Sequence, residues 1–477
     1  MGSKSITIPA LSKIKVTTDE VDLGQDNAGD SQSSAVLLPQ LHTKIPNVVN
    51  SKGNYLYTDD GLEILDATGG AAVACIGHNN PRVKAAIVDQ LDKIEYCYSQ
   101  FFTTPPVEKL SRYLTESTGG LMSRVFIVSS GTEAIEAAIK MARQYFTELP
   151  EPQLQRIRFI ARKQSYHGNT MGALGTGSHV ARRAIYEPML SPHVSHVSAC
   201  YPYRGKNDSE SDASYVARLA QELEDEFQRV GPDTVCAFVA ETVAGATLGA
   251  VPPVPGYFAA MKEVCTRHGA LFILDEVMSG MGRTGTLHAW EQEGVTPDLQ
   301  TVAKGLGAGY MPIGALLIGK KVVDVLDHGS GAFVHSQTYQ GHALACAAAY
   351  EVQAIMQEED LLANVREMGD YLGISLQQRL GSHPNVGDIR GRGLFWALEF
   401  VKDKEKKEPF PAKSQLAKRL QATGVQKEFC ISLIPGNGTA DGKDGDHIIL
   451  APAYNTTRAE IDTIVDRTEK VIKAVLG

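Results

Sequence analysis

Residues 271–285 of this chain read LFILDEVMSGMGRTG, and residues 301–315 read TVAKGLGAGYMPIGA. Each stretch contains a short apolar run typical of a buried strand, and the runs end at Asp275 and at Lys304. In open α/β sheets, ligands bind at the edge formed by the carboxyl ends of the strands. The two stretches therefore predict a sheet that carries a carboxylate and an amine at its ligand-binding edge.

Taken alone, each of these two groups has a more ordinary explanation. An aspartate at the end of a strand is most often a helix cap or a turn residue, and most lysines are solvated. Lys304, however, lies between a buried strand and a glycine-rich turn, where burial favours the neutral amine that can attack a carbonyl group. We therefore take Asp275 and Lys304 as the candidate catalytic pair.

A candidate anion-binding motif lies at residues 125–143, VFIVSSGTEAIEAAIKMAR. A strand is followed by Ser130, Gly131 and Thr132 and then by a helix, whose free N–H groups suit a phosphate. The alternative is an ordinary serine cap with Glu133 in the first helical turn.

The motif SYHGNTMGALG at residues 165–175 places Tyr166 and His167 between a strand and glycines. An aromatic side chain there either stacks on the planar ring of a ligand or packs in the core. Together the motifs offer a phosphate anchor, a ring platform, a carboxylate for a pyridine nitrogen and an amine for a Schiff base. These are the parts that pyridoxal 5'-phosphate needs.

Helical and extended patterns alternate along most of the chain, which predicts an α/β fold with a mostly parallel sheet. The predicted elements include a hairpin from Val48, helices from Pro81 to about Tyr96 and from Gly131, a long helix from Gly341 to about Leu380, and a final helix from Arg458. We expect four regions: a flexible N-terminal arm (1–36), the N-terminal part of a small domain (37–70), a large domain (71–340), and a linking helix with a C-terminal small α+β domain (341–477).

The composition of the 477-residue chain argues against several classes of partner. A net charge of -9 without a basic block gives nucleic acid no binding path. No apolar run reaches the 18 or more residues of a membrane span, so we expect no membrane association. The seven scattered cysteines lack a C-x-x-C pair, which is typical of reduced thiols in a cytoplasmic protein.

At LDEVMSGMGRTG and KGLGAGYMPIGA the chain resembles the class III (ω-amino-acid type) aminotransferases of pyridoxal-phosphate fold type I. The resemblance runs from about Pro46 to Arg458. It implies a large domain, with a mostly parallel mixed sheet flanked by helices, and a smaller α+β domain built from the N- and C-terminal segments.

The resemblance also implies a role for each residue of the site. Asp275 would pair with the pyridine N–H, Val277 and Tyr166 would cover the two faces of the ring, and Lys304 would form the internal aldimine and then act as the base. The implied cofactor-binding set is Ser130, Gly131, Thr132, Tyr166, His167, Glu241, Asp275, Val277, Lys304 and Thr338. Thr338 matches a threonine that reaches the cofactor of the neighbouring subunit, which implies a homodimer with shared active sites. Glu241 matches a glutamate near the cofactor, although Thr242 replaces the proline that usually follows it.

Two rival nucleotide motifs also occur. Gly280, Gly282 and Gly285 have the spacing of a dinucleotide fingerprint, which keeps an NAD-dependent oxidoreductase open as an alternative. However, the five residues 275–279 separate the apolar part of the strand from the first glycine. A near-match to a P-loop from Gly314 has Lys321 where Ser or Thr is required. The histidines show no metal-ligand spacing, so we expect no metal.

The sequence departs from the family pattern where the substrate would bind. Ile449 stands where many relatives carry a carboxylate-binding arginine, which favours an amine or an ω-amino acid as donor. Tyr98, Phe101 and Phe102 resemble the family's pocket wall and suit an apolar or long-chain amine, and Lys443 is a candidate point charge for a carboxylate.

We therefore expect a ping-pong transaminase that moves an amino group from such a donor to a keto acid or an aldehyde. Another class III reaction, namely that of an aminomutase, decarboxylase, racemase or lyase, uses the same Lys304 and Asp275 and stays open. A catalytically silent scaffold is the remaining alternative.

Overall fold

The computed structural model describes residues 36–37 and 45–477. The predicted N-terminal arm therefore lies almost wholly outside the described residues. From Asn47 to Gly477 the chain forms one compact unit. This unit opens with an antiparallel three-stranded sheet, which contains the predicted hairpin at Gly53. Its strands are β1 (Val48–Lys52), β2 (Tyr55–Thr58) and β3 (Glu63–Leu65).

A seven-stranded sheet forms the centre of the fold. Its strands are β4 (Met122–Val128), β5 (Arg158–Arg162), β6 (Val194–Val197), β7 (Val235–Glu241), β8 (Leu271–Asp275), β9 (Leu299–Val302) and β10 (Gly314–Gly319). Their order is β4-β10-β9-β8-β7-β5-β6. Only β10 is antiparallel to its neighbours, and the other adjacent pairs are parallel. The predicted mostly parallel mixed sheet is thus confirmed.

Helices pack against these two sheets and against a further sheet in the C-terminal region, and they connect the strands. They are α1 (Gly69–Ala72), α2 (Pro81–Leu91), α3 (Pro105–Glu116), α4 (Gly131–Thr147), α5 (Met171–Thr176), α6 (Val180–Arg183), α7 (Pro202–Gly205), α8 (Asp212–Val230), α9 (Tyr257–Arg267), α10 (Lys320–His328), α11 (Ala343–Glu358), α12 (Leu361–Leu380), α13 (Leu416–Gly424) and α14 (Arg458–Leu476).

Helices cover both faces of the central sheet. Successive side chains of a strand therefore point into two different apolar clusters, one on each face. Phe238 of β7 and Phe272 of β8 face the cluster that includes α8 and α9. Their neighbours Val239 and Ile273 face the cluster that includes α4. β7 and β8 are therefore apolar on both faces up to their last residues, Glu241 and Asp275.

Two helix predictions were wrong in their extent. The long helix expected from Gly341 to Leu380 is two helices, because four consecutive exposed residues, 357–360, interrupt the apolar face and Asp360 adopts a left-handed conformation with φ of 47°. That conformation cannot continue a right-handed helix. The helix from Pro81 ends at Leu91 rather than Tyr96, since the chain turns there and the Gln90 side chain donates to the Ile94 carbonyl at 2.8 Å.

The C-terminal region carries a third, antiparallel sheet. Its strands are β11 (Val386–Arg392), β12 (Phe395–Asp403), β13 (Glu408–Pro409), β14 (Ile434–Asn437) and β15 (Asp446–Leu450), in the order β11-β12-β15-β14 with β13 beside β12. Side chains of α12, α13 and α14 share one apolar cluster with this sheet. The exact domain boundaries within Asn47–Gly477 stay a prediction. Among the described residues, no helix is both long and apolar enough to cross a membrane.

Candidate active site

A cavity of about 390 Å³ lies at the carboxyl ends of β7, β8 and β9. Because these strands are parallel, Glu241 at the end of β7 pairs with Asp275 at the end of β8, and Asp275 pairs with Thr301 of β9. Lys304 follows shortly after the end of β9. The topology of the sheet thus brings two carboxylates and an amine to the wall of one cavity.

Asp275 is buried, and hydrogen bonds hold both of its carboxylate oxygens. Oδ2 accepts from His167 Nδ1 at 2.7 Å. Oδ1 accepts from the Val277 N–H at 3.0 Å and from the Thr301 hydroxyl at 3.3 Å. An ionised carboxylate only accepts, so the His167 proton that faces it is on Nδ1. These three donors fix the orientation of the carboxylate within the wall of the cavity.

The backbone of Lys304 is in the left-handed region, with φ of 46°, at the start of the short 3₁₀ turn Lys304–Leu306. Such a conformation costs a residue with a side chain roughly 1–2 kcal/mol. The fully buried Gln353 of α11 holds this turn, because its Nε2 donates to the carbonyls of Gly305 at 3.0 Å and Leu306 at 2.9 Å. Gln353 thereby positions the lysine from a distant part of the sequence.

The ammonium group of Lys304 has no hydrogen bond or ion pair with any residue that the structure describes. Burial lowers the pKa of Lys304 to about 8, although the charges of Asp275 and Glu241 act in the opposite direction. A useful fraction of the amine is therefore neutral near physiological pH. A neutral, unpartnered amine beside a cavity is suited both to attack a carbonyl group and to accept a proton.

The first turn of α4 presents free backbone donors to the same cavity. The Ser130 hydroxyl caps the helix by accepting from the Glu133 N–H at 3.2 Å. The N–H groups of Gly131 and Thr132 have no acceptor among the described residues, and both residues line the cavity. Free N–H groups at the start of a long helix form a binding site for an anion such as a phosphate.

Two further contacts shape the wall. Glu241 is buried, which raises its pKa, and its two oxygens accept from the N–H groups of Tyr166 at 3.2 Å and Gly245 at 2.8 Å. A Cβ atom on Gly131 would lie only 2.7 Å from Val277 Cγ1. Glycine is therefore needed at residue 131 for α4 to begin this close to the end of β8.

The structure brings almost all of the predicted cofactor-binding residues together. The predicted residues that line the cavity are Ser130, Gly131, Thr132, Tyr166, His167, Glu241, Asp275, Val277 and Lys304. Thr338 does not line it: this residue is exposed, and its carbonyl accepts from the Tyr96 hydroxyl at 3.0 Å.

The predicted substrate-pocket residues lie elsewhere in the single chain. Tyr98, Phe101 and Phe102 are exposed and contact one another edge to face. Phe102 also lines a smaller cavity of about 190 Å³. Lys443 is exposed in the loop before β15 and does not line the larger cavity. These four assignments therefore stay predictions.

Ile449, at the position where relatives carry an arginine, is fully buried in β15. It belongs to an apolar cluster that includes Val243, and Met278 packs against that cluster. Val243 and Met278 both line the cavity, so Ile449 lies behind an apolar part of its wall.

The glycines of the rival dinucleotide motif have packing roles. A Cβ atom on Gly282 would meet Leu362 of α12, and one on Gly285 would meet Arg366 of the same helix, each at 2.9 Å or less. The element that follows is the 3₁₀ turn Ala289–Glu293 rather than a phosphate-binding helix. The described geometry therefore lacks the helix N-terminus that a dinucleotide fingerprint requires.

Several cavity residues were not among the sequence predictions. They are Val73, Ser129, Gly168, Val243, Ala246, Met278, Ala303, Gly309, Met311, Pro312 and Ile313. The motif KGLGAGYMPIGA contains four of them, five to nine residues after Lys304, and its unusual mixture of glycines and apolar residues was an available signal. The sequence indicated Gln353 only weakly, because it is one polar residue among the buried apolar residues of α11.

These groups fit pyridoxal 5'-phosphate by their chemistry. The cofactor needs an amine for its aldehyde, a carboxylate for its ring nitrogen and donors for its phosphate. Lys304 has an unpartnered amine, Asp275 an oriented carboxylate, and the start of α4 supplies free N–H groups.

Comparison with known proteins gives concordant matches. Residues 39–472 match the family described as aminotransferase class-III. The chain is 51% identical to an aminotransferase of Gibberella zeae, covering 95% of this chain and 88% of that protein. It is 33% identical to the diaminobutyrate–2-oxoglutarate transaminase of Halomonas elongata, covering 96% of this chain and 97% of that protein. The solved structure of an amine transaminase from an uncultivated Pseudomonas species, in its PLP-bound form, superposes with a TM-score of 0.85 at 32% identity, covering 95% of this chain and 99% of that chain.

Proposed function

The chain belongs to the class III aminotransferase family, and from this premise we propose that its amino donor is an amine or an ω-amino acid, with a keto acid or an aldehyde as acceptor. The protein is a pyridoxal-phosphate-dependent transaminase of fold type I. The observation that carries this function is the convergence of the unpartnered Lys304 amine and the oriented Asp275 carboxylate on one cavity.

Four residues of the cavity would have defined tasks in this reaction. When bound, pyridoxal 5'-phosphate supplies an electron-accepting ring that stabilises negative charge on the carbon bearing the substrate nitrogen. Lys304 would hold the cofactor through its amine and, once released by the substrate amine, would move the proton away from that carbon. Asp275 would keep a proton on the ring nitrogen, and the N–H groups of Gly131 and Thr132 would bind the phosphate.

Two features support an amine or ω-amino acid as the donor. Ile449 offers no guanidinium for a carboxylate beside the reacting carbon. The wall in front of it, which includes Val243 and Met278, is apolar and suits a hydrocarbon group of the donor. We therefore expect the enzyme to prefer donors without an α-carboxylate.

A panel of donors tests this preference. With pyruvate as acceptor, butylamine and 4-aminobutyrate should give kcat/KM values at least about 10-fold higher than 2-aminobutyrate, because the α-carboxylate of the last compound would be desolvated against an apolar wall. The measurement is the rate of carbonyl product formation, with double-reciprocal plots that are parallel if the mechanism is ping-pong. A preference for 2-aminobutyrate would contradict the proposed donor class.

The same assay distinguishes the alternative reactions. Release of carbon dioxide, racemisation or migration of the amino group, without transfer to pyruvate, would indicate another class III reaction.

We further propose that the enzyme is a homodimer with shared active sites. Segments 96–102 and 334–339 form one exposed surface, linked by hydrogen bonds from Tyr96 to the Thr338 carbonyl and from Gln100 to Ser336. The exposed apolar residues of this surface are Tyr98, Phe101, Phe102, Val334 and Tyr339. Such a contiguous apolar patch marks an interaction site, and a second copy of the chain would bring Thr338 to its partner's cofactor.

Sedimentation of the purified protein tests the dimer. Phe101→Asp should convert a dimer to a monomer and remove most of the activity, because it places a charge in the proposed interface. Ile374→Asp is the control, since Ile374 is an exposed apolar residue of α12 outside this surface. A wild-type protein that is monomeric and fully active would contradict the shared active site.

We place the enzyme in the cytoplasm. Its seven cysteines are all free and five of them are buried, a usage typical of reducing compartments.

A further inference from the structure

The α6 segment places one arginine beside the cavity, and its side chain has no carboxylate partner in the part of the chain that the structure describes. The guanidinium of Arg182 lies over the ring of Tyr166, with its carbon 4.6 Å from the ring centroid, and Tyr166 lines the cavity. The side chain of Arg182 has no hydrogen bond or ion pair with the residues that the structure describes, although its backbone N–H donates to the His179 carbonyl at 3.1 Å. An exposed guanidinium on an aromatic face keeps its N–H donors free for an incoming anion.

Arg183, the next residue of the same segment, has a structural role. Arg183 donates to the carbonyls of Leu174 at 3.2 Å and Gly175 at 2.8 Å, and it pairs with Glu187 at 3.0 Å. The guanidinium of Arg183 thus bonds to neighbouring parts of the fold, whereas that of Arg182 has no such partner among the described residues.

The cavity has more acidic than basic residues, so a substrate carboxylate would need a cation near it. Of the described residues that line the cavity, Asp275 and Glu241 are acidic, and Lys304 is the only lysine or arginine. The phosphate of the cofactor adds further negative charge, so a substrate carboxylate would be repelled without a compensating cation. Lys304 is engaged in the chemistry. Arg182 is close enough for its charge to contribute to the lowered pKa of Lys304, after the larger effect of burial and together with Arg283.

The other candidates for this task are less well placed. Ile449 is apolar and buried. Lys443 and Arg182 are both exposed and neither lines the cavity itself, but Arg182 lies over the ring of Tyr166, which does line it. The guanidinium of Arg390 already has partners within the protein, because it pairs with Asp388 and Glu399 and donates to the Gly249 carbonyl.

We propose that Arg182 binds the carboxylate of the substrate, either that of an ω-amino acid donor or that of the keto-acid acceptor. This inference rests on the proposed transaminase function. A guanidinium offers two parallel N–H donors to a carboxylate, so it selects carboxylate-bearing substrates over plain amines. The apolar wall and Arg182 together suit donors in which the amine and the carboxylate are separated by a hydrocarbon chain.

A binding experiment with glutarate tests the site independently of turnover. Glutarate has two carboxylates but no amino, keto or aldehyde group, so it cannot undergo transamination. In calorimetric titrations of the holoenzyme, Arg182→Met should weaken glutarate binding by about 10- to 100-fold, through the loss of a charge-assisted bidentate contact. The glutarate affinity of Arg182→Lys should lie between those of wild type and Arg182→Met, since lysine keeps the positive charge but lacks the two parallel N–H donors of a guanidinium. Arg458→Met is the matched control and should bind like wild type, because Arg458 is an exposed arginine that lies over the ring of Tyr371 and does not line the cavity.

Two donors of equal carbon number test the same residue in catalysis. Arg182→Met should raise the KM for 4-aminobutyrate by about the factor found for glutarate, while kcat/KM for butylamine changes by less than about 2-fold. Equal losses for both donors would overturn the proposal, because they would mean that Arg182 merely supports Tyr166. Glutarate binding that is absent in wild type, or unchanged in Arg182→Met, would also overturn it.

The outcomes separate this inference from the proposed function. If wild type aminates no acceptor but glutarate binding depends on Arg182, the carboxylate site stands and the transaminase proposal for these donors fails. If both donors react and neither their kinetics nor glutarate binding depends on Arg182, the transaminase proposal stands and the carboxylate site is overturned.

Discussion

Lys304→Ala will abolish transamination, with kcat falling by at least about 10⁴-fold. The variant loses both the amine that holds the cofactor and the base that moves the substrate proton. No other lysine lines the described cavity, so no neighbour can replace it. The rate of carbonyl product formation from 4-aminobutyrate, measured with excess cofactor, gives the size of the effect.

Covalent attachment of the cofactor identifies the residue directly. Borohydride reduction followed by peptide mass spectrometry should find the cofactor on Lys304 in wild type and nowhere in Lys304→Ala. Lys320→Ala is the matched control, because Lys320 is an exposed lysine paired with Asp324 and should leave the attachment and the activity unchanged. Cofactor attached to a different lysine in wild type would refute the assignment.

The pH dependence of cofactor capture gives a further check on the same amine. Its pKa is lowered to about 8, and only the neutral form attacks an aldehyde. Below pH 8 the amine is mostly protonated, so capture by the apoprotein should be slow and should accelerate as the pH rises. Above pH 8 the rate should level off, whereas an unperturbed lysine would still be gaining rate up to about pH 10.

Asp275 and Lys304 were predictable from the sequence because each ends or closely follows an apolar strand. Parallel strands bring their carboxyl ends to one edge of a sheet, so the order of the strands was not needed for this inference. Glu241 also ends a parallel strand, but it was predicted from the resemblance to the family and not from the strand pattern.

Features that depend on distant contacts could not be predicted in the same way. Gln353 supports Lys304 through contacts between α11 and a turn 47 or 48 residues earlier, and nothing near Gln353 in the sequence indicates this partner. The break at Asp360 arises from four exposed residues inside an otherwise continuous helical pattern. Arg182 was not singled out because its neighbour Arg183 looks identical in sequence, and only their contacts distinguish them.

The roles of residues at the proposed subunit interface cannot be derived from the structure of a single chain. Thr338 and Phe101 lie on an exposed surface of the single chain, so the residues they would contact belong to another copy. Their roles depend on assembly and stay predictions until the dimer is measured.

Asp275→Asn will lower kcat by about 10³-fold or more while leaving the cofactor attached to Lys304. The carboxylate holds a proton on the ring nitrogen through its negative charge, and the neutral amide cannot do so. The substitution also disturbs His167, whose Nδ1 donates to Asp275 Oδ2 at 2.7 Å. An amide NH₂ group facing His167 would force its proton onto Nε2, which is buried and has no partner among the described residues. The measurement combines the rate with 4-aminobutyrate and borohydride trapping on Lys304.

Glu241→Gln is the matched comparison, because Glu241 is the other carboxylate of the cavity. Its oxygens accept from the N–H groups of Tyr166 and Gly245, and a glutamine oxygen retains one of these contacts. We therefore expect its kcat to fall by less than about 10-fold, since its proposed task is local geometry rather than charge on the ring. Equal losses in the two variants would mean that total negative charge in the cavity matters, and would remove the specific role assigned to Asp275. An Asp275→Asn enzyme that keeps its full rate would exclude that role altogether, because the electron-accepting power of the ring depends on its protonated nitrogen.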